Sequence, residues 1–135
     1  MKGLVADVNA QGQVEYLVKR MQRHAWADFW QALGVVLYRF EDVGLSTSST
    51  DLEVWTVCQA EQLILITDNR NLDSEDSLEA TIRRNNTSLS LPVFTIADMN
   101  EFRTNGSYVE RVVEALFDYL LRIDEVRGTG RLFLP

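Results

Sequence analysis

The chain has 135 residues, 46% hydrophobic and 24% charged, with seven glycines and two prolines. That length and composition fit one globular domain over residues 1–135 and exclude the disordered, fibrous and collagen-like classes. A formal net charge of −7 lacks the basic footprint with which proteins grip duplex DNA through its phosphates, so no duplex-DNA binding is expected.

In chain order, "GLVADV" (3–8) is a short apolar run with branched residues and reads as a strand. Val14, Leu17, Val18 and Met21 then fall at i, i+3, i+4 and i+7, the spacing of one helix face. Trp26, Phe29, Trp30 and Leu33 repeat it, so a second helical piece follows, bent or broken near His24 and Ala25 and ended by Gly34. "VVLYRF" (35–40) is a strand by its β-branched and aromatic content, and a polar, serine-rich loop follows. Thr50 and Glu53 form a capping box that opens a helix to about Glu61.

"LILIT" (63–67) is an apolar strand, Asp76 with Glu79 signals the next helix start, and "VFTIA" (93–97) after Pro92 is the next strand. The clearest helix runs from Ser107 to about Asp124, with Val109, Val112, Val113, Leu116, Leu120 and Ile123 on one face. The tail "GTGRLFLP" either adds an edge strand or covers one. There is no internal repeat, low-complexity segment or long linker.

Strands that are apolar on both faces and separated by helices predict a central, mainly parallel sheet of four or five strands. The expected fold is a three-layer α/β/α sandwich with right-handed crossovers. In such sheets ligands bind outside the carboxyl ends of the strands. Those ends carry acids: Asp7, then Glu41 and Asp42, then Asp68, then Asp98. Asp51 at a helix start, and Asp73, Glu75 and Asp76 after the third strand, can reach the same edge. Like charges gathered there are costly unless a cation neutralises them, and hard oxygen ligands suit Mg²⁺ or Mn²⁺. The chemistry best served is in-line phosphodiester hydrolysis. The competing reading is capping, since an acid in a first helical turn stabilises by roughly 0.3–1 kcal/mol. Glu75 and Asp76 are the plainest caps; Asp7, two residues before Asn9, is the hardest to explain that way.

Asp7 in "LVADVN", Asp51 in "GLSTSSTDLEVW" and the "TDNRNL" stretch at 67–72 occur in an order that resembles the PIN-domain family. The likeness is to small bacterial PIN-like proteins related to toxin–antitoxin ribonucleases, and it runs from the first strand to about Ala97. The resemblance implies a Mg²⁺- or Mn²⁺-dependent ribonuclease that hydrolyses single-stranded RNA, with Asp7 and Asp51 catalytic. It implies metal ligation by Asp7, Asp51, Asn69, Asn71 and Asp73, and substrate contacts from Asn9, Thr67 and Arg70. Where the family keeps T-x-D-x-D-F, this chain has Asn69, Asn71 and Leu72. An amide oxygen coordinates Mg²⁺ without bringing charge, so weaker metal binding is expected. The alternative is a catalytically degenerate PIN-like protein that acts as a dimerisation or protein-interaction module.

Other chemistries find less support. His24 is the only histidine, so every triad would have to use it. "RGTGR" (127–131) follows a helix and lacks the lysine of a phosphate loop, and "TIADMNEF" offers no lysine of the kind a phosphoacceptor receiver domain wants after a late strand. Cys58, the sole cysteine, reads as a small buried hydrophobe and fits a reducing cytoplasm. The start has too short an apolar stretch for a signal peptide and no segment approaches the ~20 apolar residues of a membrane span, so no membrane is expected. Trp26, Trp30 and Trp55 read as core or interface. Tyr108, Phe117, Tyr119 and Leu121 widen the apolar surface of the last helix, which predicts a homodimer or protein partner, or else the tail packed over it.

Overall fold

The computed structural model describes residues 1–69 and 77–135. Its five strands, β1 (Gly3–Ala6), β2 (Val36–Tyr38), β3 (Leu63–Thr67), β4 (Val93–Ile96) and β5 (Arg131–Leu134), form one sheet. The order is β2-β1-β3-β4-β5 and every neighbouring pair is parallel. Six α-helices lie among the described residues: α1 (Gln11–Met21), α2 (Ala27–Leu33), α3 (Asp51–Ala60), α4 (Leu78–Asn85), α5 (Met99–Thr104) and α6 (Gly106–Leu121). They cover both faces of the sheet, giving the expected three-layer α/β/α sandwich, and the undecided tail supplies its fifth strand.

The strands are apolar throughout because both faces are covered. Side chains alternate across a strand, so Leu4, Ala6, Ile64, Ile66, Phe94, Ile96 and Leu134 enter one core with α1, α5 and α6, against which Trp26, Trp30 and Leu33 pack. Val5, Leu63, Leu65 and Val93 enter the other with Val54, Trp55 and Cys58 of α3 and Leu78 and Ile82 of α4. Each fully buried aliphatic or aromatic side chain contributes roughly 1.5–3 kcal/mol. Gly3 is required where β1 meets β2, since a Cβ there would lie 2.3 Å from the Val36 carbonyl oxygen.

Local signals place most boundaries. The Thr50 hydroxyl accepts the Glu53 N–H at 3.1 Å and Glu53 accepts the Thr50 N–H at 3.2 Å, which is the expected box opening α3. Gly34 ends α2 in the left-handed region at φ 63°. Four expectations are corrected. The first, second and fourth strands end earlier than read, at Ala6, Tyr38 and Ile96. The cap of α4 is Ser77, whose hydroxyl accepts the Ala80 N–H at 3.1 Å, one residue beyond Asp76, which lies outside the described residues. The last helix stops at Leu121, and Ile123–Glu125 forms a separate 3-10 turn. Helix α5 was not foreseen: its Asp98 cap accepts the Glu101 N–H at 3.0 Å.

Much of the wide apolar surface of α6 is used within the chain. Phe117 stacks on Trp26 with ring centroids 5.1 Å apart, and Tyr119 stacks on Phe94 at 5.6 Å. The Tyr108 hydroxyl donates to the Pro135 carbonyl at 2.5 Å, while Leu121 stays 52% exposed.

From β1 the chain crosses to β2 on one side and from there to β3 on the other, so the strand order reverses between β1 and β3. That reversal opens the crevice at the carboxyl ends where an α/β sheet receives ligands.

Candidate functional site

Asp7 follows β1 at the edge of this crevice and Thr67 ends β3 beside it. Asp7 precedes the 3-10 turn Val8–Ala10, yet its side chain caps nothing there. Its Oδ2 instead accepts a hydrogen bond from the Thr67 hydroxyl at 2.6 Å, across 60 residues of sequence. Asp51 is the first residue of α3, but Thr50 and Glu53 already serve that helix start. The backbone N–H of Leu78, the first residue of α4, acts on the Asp51 carboxyl and lowers its pKa. Asp51 thus stands in the first turn of α3 and feels the first N–H of α4, and the partial positive charge of a helix N-terminus favours an anion.

The two acids are close enough to sense one another. Burial pushes the Asp51 carboxyl above the usual carboxylate range and the charge of Asp7 adds to that push, against the Leu78 N–H and the positive charge of Arg131. Cys58, two turns further into α3, is pushed up to about 12, first by burial and then by Asp7. A thiol so placed is inert filling, as its sequence context implies.

The other acids at strand ends serve local structure. Asp42 accepts the Arg39 N–H at 2.8 Å, Glu41 lies 3.9 Å from the Arg39 guanidinium, and Asp98 caps α5. Asp68 is half-buried beside Thr67. Among the expected ligands, the charge of Asp7 is felt at Asp51 and Asn69 lies just past Thr67; Asn71 and Asp73 lie outside the described residues. Of the expected substrate contacts, Asn9 is exposed in the turn after Asp7, while Arg70 lies outside the described residues. Thr67 is fully buried with its hydroxyl committed to Asp7, so it holds a carboxylate and does not face solvent. His24 is exposed on the 3-10 turn His24–Trp26.

Sequence reasoning missed Arg131. It opens β5, yet its side chain is only 7% exposed and lies 2.9 Å from Glu79 of α4. The available signal was a basic residue at the head of an apolar terminal strand, in a tail that could be read two ways.

Among the described residues no group of three or more His, Cys, Asp and Glu side chains gathers. Asp7 and Asp51 are two acids of like charge, and the charge of Asp7 raises the Asp51 carboxyl. The chain matches no protein-family model, no curated protein and no solved structure.

Proposed function

We propose that the protein is a PIN-like ribonuclease that hydrolyses single-stranded RNA with Mg²⁺ or Mn²⁺, using Asp7 and Asp51. One observation supports the reading: neither Asp7 nor Asp51 caps a helix, and the charge of Asp7, at the strand-order reversal, is felt at Asp51. The order of Asp7, Asp51 and the "TDNRNL" stretch supports it through the family resemblance. Asp7 and Asp51 would hold the ion, which when bound lowers the pKa of water and stabilises charge on the leaving oxygen. The chain's own part is orientation. The Thr67 hydroxyl fixes Asp7, and the N-terminus of α3 favours negative charge at Asp51.

An acidic chain of net charge −7 is poorly matched to duplex DNA and better suited to a substrate it meets through a cation. Its lone buried Cys58 suits a reducing cytoplasm, and no described helix is long and apolar enough to cross a membrane. The deciding experiment is cleavage of single-stranded RNA by pure protein with Mn²⁺ or Mg²⁺. Wild type should cleave and Asp7→Asn should lose about a hundredfold or more of that rate, as removal of a metal ligand does. Absence of metal-dependent cleavage by the wild type returns the protein to the alternative, a PIN-like module that dimerises or holds a protein partner.

A further inference from the structure

Arg131 is buried and yet makes only part of the bonds its guanidinium offers. Its Nε donates to Glu79 Oε2 at 2.9 Å, and its Nη1 donates to Thr95 Oγ1 at 2.6 Å and to the Asn69 backbone carbonyl at 2.8 Å. Its Nη2 is buried with no hydrogen-bond partner among the described residues. Burying an unmatched donor on a charged group is costly, so a simple structural filler would be better apolar. What the guanidinium supplies is a rigid fork that reaches α4, β4 and the end of β3 at once.

The grip on Asn69 continues to the acids. The Asn69 N–H donates to the Thr67 hydroxyl oxygen at 2.9 Å, and that hydroxyl donates to Asp7 Oδ2 at 2.6 Å. Asn69 is therefore held at its carbonyl by Arg131 and at its N–H by Thr67. With its oxygen occupied by the Asn69 N–H, the Thr67 hydroxyl has its proton directed at Asp7.

We propose that Arg131 is the positioning residue of the site: it clamps the Asn69 backbone to β4 and α4, and through Thr67 it sets the orientation of the Asp7 carboxylate. The bonded path stands by itself; its consequence for metal and catalysis rests on the ribonuclease reading. Lysine at this position keeps the charge but not the fork, so it cannot serve Glu79, Thr95 and Asn69 together.

The test compares the full-length wild type with Arg131→Lys, Thr67→Val and a control, Glu110→Gln. The control removes charge from a cluster on α6, where Glu110 accepts from Arg20 at 2.6 Å and Trp26 at 2.7 Å. Amide hydrogen exchange is read at Asn69 in metal-free protein, and Mn²⁺ binding is read by calorimetry. Arg131→Lys and Thr67→Val should each speed exchange at Asn69 about tenfold or more and weaken Mn²⁺ binding on the order of 10–100-fold, as loss of a ligand-orienting partner does. Both should lower kcat more than they raise KM. Glu110→Gln should change neither Asn69 exchange nor Mn²⁺ affinity, whatever its melting temperature. Unchanged Asn69 exchange in Arg131→Lys overturns the proposal, and so does Mn²⁺ binding at wild-type strength in that variant. If Arg131→Lys does not fold, Glu79→Gln loosens the guanidinium without removing it and must speed Asn69 exchange. A wild type that binds no Mn²⁺ defeats the ribonuclease reading alone, and Asn69 exchange still decides the clamp.

Discussion

Asp51 carries a cost imposed by its surroundings. Its carboxyl is raised first by burial and then by Asp7, so the folded chain holds that proton more tightly than the unfolded chain does. The resulting stabilisation is complete below the unfolded carboxyl pKa of about 4 and is lost as pH rises through the raised value. Asp51→Asn is therefore expected to raise the melting temperature of metal-free protein at neutral pH and to bring no gain in acid. Thermal melts at the two pH values check this, and equal melting temperatures at neutral pH would contradict the crowding of Asp7 and Asp51. Cys58 gives a second check on the same layer. With its thiol pushed up to about 12, it should resist thiol reagents in the native state and react fully in denaturant. The raised pKa values depend on neighbours distant in sequence, which is why "VWTVCQA" predicted burial of Cys58 but not the presence of Asp7 near it.

At the scale of elements, the helix starts divide into those written locally and those that are not. The Thr50 and Glu53 box is written within four consecutive residues, and Thr50→Ala should cost about 1 kcal/mol in chemical denaturation with the slope of the transition unchanged. Helix α5 is six residues long, too short to show a hydrophobic period, and its Asp98 cap reads equally well as an acid at a strand end. The same ambiguity covered the tail. Tyr108 resolves it: its hydroxyl accepts the Asp98 N–H at 2.9 Å and donates to the Pro135 carbonyl, tying the starts of α5 and α6 to the end of β5. Tyr108→Phe leaves those groups unmatched and should cost about 1–3 kcal/mol, measured by the same denaturation.

For the whole molecule, the sheet is shared by two apolar layers. Trp55 lies in the α3 and α4 layer, whereas Trp26 and Trp30 pack against the α1 and α6 layer. A single domain predicts one cooperative transition, with tryptophan fluorescence and far-ultraviolet circular dichroism coinciding. Leu17→Ala, at a fully buried site, should shift that one transition by about 2–5 kcal/mol without splitting it. Two separated transitions would show that the layers unfold independently.

The sequence by itself determined the three-layer class, the parallel sheet, the identity of most helices and the short list of acids at strand ends. Apolar period, capping boxes and glycine stops are local signals, complete within a few consecutive residues. Only the tertiary structure decided which acids serve local N–H groups and which do not. Asp42 and Asp98 hold local N–H groups, while Asp7 and Asp51 turn to partners from β3 and α4. It also decided that Thr67 is a buried support and that Arg131 reaches from β5 to the carbonyl of Asn69. Sheet order brings together residues 60 or more positions apart in these bonds, and no local pattern carries that order.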